Sequence, residues 1–230
     1  MKILIAINYV DYCMENKRIA QDLCIESLKK YEKEVSLASI NFVDDIIDLD
    51  FKVIKKLKRD CQKEIGNNRR LPYIKELLDI CSNIECDVFG YINSDVLIND
   101  DFLNDLDNFN KEINACIFYK KDVKINGDKI DIVNEYPHGQ DGFFFNRKWW
   151  ISNRDFYPSN LILGETEWDT CYNSITQKVS NCLIKRSLLH IDHERIWSLD
   201  SRGAINNKII WDLVKKSYGL PLYNPESAKK

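Results

Sequence analysis

The stretch DVFGYINSDVLINDDF, residues 87 to 102, joins a strongly apolar run to a cluster of polar and acidic residues. Residues 88–92 place apolar side chains at successive positions, which is typical of a strand covered on both faces. Asn93, Ser94 and Asp95 follow directly. Because open α/β sheets bind ligands beside the carboxyl ends of their strands, this stretch predicts a parallel sheet with a ligand-binding carboxylate at Asp95.

Strands and helices alternate before this stretch. The segment MKILIAINYV predicts a first strand, and Ala20, Cys24 and Leu28 lie at helical spacing. A second strand is predicted near VSLASINFV, residues 35–43. This order is typical of a wound sheet, so we predict an α/β fold with a mixed, mainly parallel central sheet flanked by helices.

The second half has a more mixed pattern. A hairpin is predicted over residues 123–133, with Asn126 and Gly127 as its two-residue turn. A helix from about Trp168, a strand over residues 182–191 and a last helix before Gly219 complete it. With no linker or internal repeat, residues 1–230 are expected to form one domain.

Residues 51–70 are rich in lysine and arginine, with Ile54, Leu57, Cys61 and Ile65 spaced as one helical stripe. This spacing predicts a charged surface helix. An alternative is that its end, NNRRLP, brings an arginine to a ligand that carries phosphate.

Composition excludes several classes of partner. The chain has 230 residues, of which 44% are hydrophobic, enough for a substantial core. Its 33 basic and 36 acidic residues give a net charge of −3, so no general attraction for nucleic acid is expected. No apolar run reaches the length of a transmembrane helix, although an amphipathic face could contact a membrane surface.

The eight cysteines are scattered and include no CxxC pair. Free cysteines on apolar faces behave as small hydrophobic residues. We therefore expect a reduced, cytoplasmic protein, with a position at the inner face of the membrane as an open alternative.

Two further segments carry candidate functional residues. GETEWDTCY, residues 164–172, has Glu165, Glu167 and Asp169 near a predicted helix start, where carboxylates either favour the helix dipole or accept a proton from a hydroxyl. HIDHERIW places His190 and His193 three residues apart, on opposite faces of a continuous strand, so a shared zinc ion would require the strand to end between them.

In chain order, these segments resemble the GT-A glycosyltransferases of the family 2-like kind. The resemblance spans roughly residues 1–200 and rests on KILIAINY, RRLPYIKELLDI leading into DVFGYINSDV, GETEWDTCY and HIDHERIW. In that family a DxD-type motif holds a divalent metal and the donor diphosphate. This sequence has NSD instead, with Asn93 where the first acid would stand.

The resemblance implies a nucleotide-binding half, residues 1–100, and an acceptor-binding half, residues 101–230. It also implies a role for each candidate. The donor-binding candidates are Asn8, Asp11, Arg70, Asn93, Asp95 and Arg195. Asp95 with His193, or with His190 as the second choice, would hold Mn²⁺ or Mg²⁺. Asp169 is the first candidate for the catalytic base and Glu167 the second. Candidates for sugar or acceptor contact are His138, Asp141 and Trp168, with Trp149 or Trp150 as a further flat surface.

The implied function is transfer of a sugar from a nucleotide diphosphate donor, expected to be a UDP-sugar, to a hydroxyl of a glycan or lipid-linked acceptor. Inversion and a role in polysaccharide or glycoconjugate biosynthesis are expected. The alternative, suggested by Asn93, is a non-catalytic module that binds nucleotide-sugar or glycan. A metal-dependent phosphohydrolase or nucleotidyltransferase would need more acids around Asp95 than the sequence places there.

Overall fold

The computed structural model describes residues 1–10, 14–109, 112–127, 129–192 and 198–219. Its strands are β1 (Ile3–Ile7), β2 (Ser36–Phe42), β3 (Lys52–Leu57), β4 (Val88–Ile92), β5 (Val96–Leu97), β6 (Ala115–Asn126), β7 (Lys129–Asn134), β8 (Gln140–Asn146) and β9 (Cys182–Ile191). Its helices are α1 (Glu15–Lys29), α2 (Cys61–Ile65), α3 (Ile74–Ser82), α4 (Asp100–Asp107), α5 (Arg147–Asn153), α6 (Trp168–Val179) and α7 (Arg202–Tyr218).

Within the described residues, nine strands form one sheet in the order β3-β2-β1-β4-β8-β6-β9-β5, with β7 paired to β6. The first four strands of this order are parallel to one another. β8 runs antiparallel to both neighbours, and β6 and β9 are again parallel. The predicted mixed α/β sheet is confirmed, and three of its four adjacent parallel strands, β1, β2 and β4, lie in the segments predicted as strands.

Alternating side chains of the central strands supply two separate cores. In β8, Phe143 and Phe145 pack on one face and Phe144 on the other. The first face is covered by α3, α5, α6 and α7, and the second by α1 and α4. The strands are therefore buried on both sides, which explains their continuous apolar sequences.

Gly90 in β4 permits the close approach of β4 to β8. A Cβ atom at this position would lie 2.3 Å from the ring of Phe144 and 2.5 Å from the carbonyl oxygen of Phe143. We expect Gly90→Ala to lower the free energy of unfolding by roughly 1–3 kcal/mol, because backbone and ring cannot both move aside. Urea denaturation followed by circular dichroism measures the loss. Equal stability of the Gly90 variant and the wild type would contradict the expectation.

The prediction of one helix over residues 51–70 is wrong. This segment forms β3 at the edge of the sheet, followed by the short helix α2. The Asp60 carboxylate accepts a hydrogen bond from the Gln62 N–H at the start of α2, and Gly66 ends the helix with φ 66°. The lysines of this segment suit an edge strand, where charge opposes pairing with another chain.

The hairpin forms as predicted, but its turn begins one residue later. β6 continues to Asn126, which pairs with Lys129, so Asn126 belongs to the strand and not to the turn. No helix of the described residues is long and apolar enough to cross a membrane. The described cysteines are free thiols, and Cys13 lies outside the described residues.

Candidate functional site

A cleft of about 410 Å³ lies at the carboxyl ends of β1 and β4. Asn8 follows β1 directly, and Asn93, Ser94 and Asp95 follow β4. All four residues line the cleft. The strand ends therefore meet at one edge of the sheet, as expected for a wound α/β fold.

The second half of the chain supplies the opposite wall. Six of the predicted residues line it: His138, Asp141, Glu167, Trp168, Asp169 and His190. Asp11, His193 and Arg195 lie outside the described residues. The cleft thus brings together candidates that are more than a hundred residues apart in sequence.

Asp95 lies beside His190 because β5 and β9 pair antiparallel, with Val96 opposite His190. The Nε2 atom of His190 is 3.8 Å from Oδ2 of Asp95, and its Nδ1 atom is 3.0 Å from Oδ1 of Asp122. Burial alone would lower the pKa of His190, but the contact with Asp122 and the charges of Asp141 and Asp95 outweigh it and raise the pKa. This end of the cleft is therefore strongly acidic.

Asn93 holds β4 to β8 at the cleft. Its backbone N–H donates to the Asp141 carbonyl at 2.9 Å, and its side-chain amide donates to Oδ1 of Asp141 at 2.8 Å. An aspartate at position 93 would place a second carboxylate against Asp141. Asparagine thus suits this position because it positions Asp141.

The residues of the acidic segment 165–169 have different roles in the structure. Glu165 is buried and accepts hydrogen bonds from Asn67 at 3.1 Å and from Ser201 at 2.9 Å, and it pairs with Arg69 at 3.0 Å. Glu165 therefore fixes the loop before α6 to the start of α7. Trp168 is buried against Tyr91 and Phe143, so its ring anchors α6.

Asp169 and Glu167 differ in how they are held. The Asp169 carboxylate accepts the backbone N–H groups of Gln140, at 3.1 Å, and of Thr170, at 2.8 Å. Burial raises the pKa of Asp169, although these two N–H groups favour its charged form. Gly139, with φ 106°, brings the backbone against this carboxylate, where a Cβ would lie 3.3 Å from Oδ2.

Glu167 precedes α6 with φ 69°, the one positive value among the described residues other than glycine. Its side chain forms no capping hydrogen bond with α6. Such a backbone conformation costs about 1–3 kcal/mol and occurs preferentially at functional sites. Glu167 and Asp169 are both partly exposed and both line the cleft, but the Asp169 carboxylate is held by two backbone N–H groups.

Three lysine or arginine side chains of the described residues line the cleft, and none of them is among the site candidates predicted from the sequence: Lys17, Arg69 and Lys120. Lys17 is buried in the first turn of α1, and burial lowers the pKa of its ammonium while the charge of Asp95 opposes this effect. Arg69 lies in the NNRRLP segment, one position before the predicted Arg70. The sequence does contain one indication for Lys17, because this lysine lies on the same helical face as the apolar residues of α1.

Arg70 does not line the cleft. Its guanidinium pairs with Asp44, with Asp45 at 3.0 Å and with Asp60 at 3.0 Å, and it lies 4.0 Å from the Phe42 ring centre. Arg70 therefore joins the end of β2 to the start of α2. Trp149 and Trp150 are also absent from the cleft lining, because Trp150 is buried in the core and Trp149 stacks on Phe145.

The sheet order, the two helical layers and this cleft define the GT-A fold of nucleotide-sugar glycosyltransferases. Among solved structures, the chain is similar to S. aureus TarS 1–349 in complex with UDP-GlcNAc, with 15% identity and a TM-score of 0.53 over all of this chain and 76% of that one. It is also similar to GalNAc-T7 with UDP, GalNAc and Mn²⁺, with 13% identity and a TM-score of 0.53 over 95% of this chain and 50% of that one. The chain thus spans about half the length of GalNAc-T7. No protein-family model and no curated protein matches the sequence.

The predicted metal site lies only partly within the described residues, where Asp95 and His190 are neighbours. Mn²⁺ and Mg²⁺ bind oxygen ligands that converge on one point. Within the described part of the chain, no group of three or more His, Cys, Asp and Glu side chains could hold an ion. The Lys120 ammonium instead lies 3.5 Å from Oδ2 of Asp141 and 3.8 Å from Oδ1 of Asp122. His193 lies outside these residues, so the predicted metal stays a prediction.

Proposed function

We propose that this protein transfers a sugar from a nucleoside diphosphate donor, a UDP-sugar, to a hydroxyl of a glycan or lipid-linked acceptor, with inversion at the anomeric carbon. One observation carries the proposal: a single cleft at the strand ends of a GT-A fold combines cationic side chains with several carboxylates. A role in polysaccharide or glycoconjugate synthesis in the cytoplasm belongs to the same proposal.

The cationic side chains of the cleft are suited to bind the diphosphate of the donor. Lys17 on α1 and Arg69 in the loop after α2 both line the cleft, and the charge of Lys17 interacts with those of Arg69 and Asp95. Residues 1–100 would thus hold the nucleotide, with Asn8 and Asp95 near the ribose and sugar hydroxyls. Charged donors form the stronger hydrogen bonds to phosphate oxygens.

The carboxylates of the second half suit the acceptor. We take Glu167 as the candidate for the base in place of Asp169, the first candidate from the sequence, because no capping hydrogen bond holds its side chain and Asp169 is held by two N–H groups. Asp169 would position the loop of Gly139 against α6. His138 lies at the exposed edge of the cleft, where an acceptor would enter.

Direct binding and turnover assays test the proposal. We expect UDP to bind the purified chain in isothermal titration calorimetry, and UDP-sugars to release UDP when a glycan or lipid-linked acceptor is added. UDP binding without UDP release from any donor and acceptor would favour the alternative, a non-catalytic binding module. Absence of both binding and release would contradict the proposal.

Lys17→Met is expected to weaken UDP binding by roughly tenfold, because a hydrogen bond from a charged donor to phosphate is lost. Uridine, which has no phosphate, should bind the variant and the wild type equally. Calorimetry with both ligands measures the difference. Lys29→Met is the matched control on the same helix, since Lys29 pairs with Asp50 at the surface. An equal loss for uridine would show that Lys17 supports the fold of the cleft instead of binding phosphate.

A further inference from the structure

Lys120 lies in β6, next to an irregularity in both of its strand pairings. The register of β6 shifts between Phe118 and Tyr119 against β8, and between Phe118 and Lys120 against β9. Such bulges change the direction of the following side chains. Lys120 lines the cleft although only 9% of its surface is exposed.

The surroundings of Lys120 are acidic. Its ammonium is 3.5 Å from Oδ2 of Asp141 and 3.8 Å from Oδ1 of Asp122, and it interacts electrostatically with Asp169 and His190. A buried ammonium is costly unless opposite charges surround it. The Lys120 ammonium therefore already neutralises part of the negative charge of Asp122 and Asp141.

A diphosphate could not approach this end of the cleft without a cation. The carboxylates of Asp95, Asp122 and Asp141 would repel the diphosphate unless a positive charge lay close to them. Lys17 interacts electrostatically with Asp95, and Arg69 pairs with Glu165 at 3.0 Å. Lys120 is the lysine or arginine of the described cleft whose ammonium lies within 4 Å of both Asp122 and Asp141.

Asn93 is consistent with a monovalent cation at this site. Its side-chain amide donates to Asp141, and asparagine carries no charge where a second carboxylate would stand. A motif with one fewer negative charge holds a divalent ion less strongly. A lysine has a single charge and three N–H donors, so it can contact a carboxylate and a phosphate together.

We propose that Lys120 is a resident cation of the cleft that neutralises the diphosphate of the donor in place of a divalent metal, so that donor binding requires no added metal. This inference rests on the proposed function. In the transfer step, the acceptor oxygen bonds to the anomeric carbon as the bond from that carbon to the diphosphate oxygen breaks. The acceptor proton passes to Glu167, and UDP leaves with the electron pair and with its new negative charge facing Lys120.

The test measures UDP binding by calorimetry on the full chain, once with EDTA and once with MnCl₂. For the wild type we expect equal affinity in both buffers. Lys120→Met should weaken binding by roughly 10- to 100-fold in both, because a charged hydrogen-bond donor is removed. Lys120→Arg, which keeps the charge, should retain more of the affinity. Lys121→Met is the control on the same strand, since Lys121 pairs with Glu135 and does not line the cleft.

The outcomes separate the two proposals. Loss of wild-type binding in EDTA, restored by MnCl₂, would overturn the role of Lys120 and leave the proposed transferase function intact. If Lys120→Met binds UDP in EDTA with the full affinity of the wild type, the proposed role of Lys120 is also overturned. If thermal melting shows that Lys120→Met is unfolded, the wild-type chelator comparison and Lys120→Arg decide the question. Failure of UDP to bind the wild type in either buffer would overturn both proposals.

Discussion

Glu167→Gln is expected to reduce the rate of sugar transfer by roughly 10²- to 10⁴-fold, the usual contribution of a positioned general base. A glutamine of the same shape cannot take the acceptor proton. The affinity for UDP should stay unchanged, because the proposed phosphate contacts lie elsewhere in the cleft. Steady-state transfer kinetics together with calorimetry for UDP measure the two effects separately.

Asp169→Asn is the comparison that assigns the base. This carboxylate accepts N–H groups from Gln140 and Thr170, so its replacement should lower thermal stability as well as activity. Glu167→Gln should lower activity alone. The assignment is reversed if Asp169→Asn abolishes transfer while Glu167→Gln remains active.

The pH profile gives a second criterion. Burial raises the pKa of Asp169 above the ordinary aspartate value of 3.8. If Asp169 were the base, activity would fall as the pH drops through that raised pKa, because a base must be ionised to accept a proton. An acidic limb that disappears in Asp169→Asn but persists in Glu167→Gln would contradict the role of Glu167.

Trp150→Ala is expected to lower the free energy of unfolding by about 3–5 kcal/mol. The ring is fully buried between Phe89, Phe145 and Tyr157, and its indole N–H donates to Asp79 at 3.0 Å. The substitution leaves a cavity and removes the donor to that carboxylate. Because the free energy of unfolding of a domain is about 5–15 kcal/mol, this loss should shift the midpoint of urea denaturation strongly.

Trp149→Ala is the matched control one residue earlier. Trp149 is partly exposed and stacks on Phe145 with an interplanar angle of 7°. Its loss should cost less stability than that of Trp150. Neither variant should lose UDP affinity while folded, since neither ring lines the cleft. A selective loss of donor or acceptor binding in Trp150→Ala would restore the prediction of a sugar-binding surface.

Much of the fold could be predicted because its elements have local sequence signals. The strand of residues 182–191 was predicted with its observed bounds, and the helix from Trp168 begins where the sequence placed it. The prediction of a helix over residues 51–70 is wrong because four apolar residues at helical spacing do not show that the segment lies at the edge of a sheet. There, pairing with β2 and the lysine-rich surface decide the conformation.

The candidate site was predictable where a residue follows a buried strand. Asn8, Asn93 and Asp95 line the cleft because parallel strands end at one edge of the sheet. Arg70 and Arg69 are adjacent and chemically identical, and only their packing shows that Arg69 lines the cleft. Lys120 gave no signal, because its carboxylate neighbours come from β8 and from its own strand.

The sequence by itself determined the order of strands and helices, the acidic strand end and the acids before α6, since each depends on neighbouring residues in the chain. The tertiary structure alone decided which charges meet. Asn93 contacts Asp141 across β4 and β8, and Lys120 lies among carboxylates because β6 is bulged beside β8 and β9. The reason is physical: electrostatic interactions depend on separation in space and on burial, and a linear sequence specifies neither.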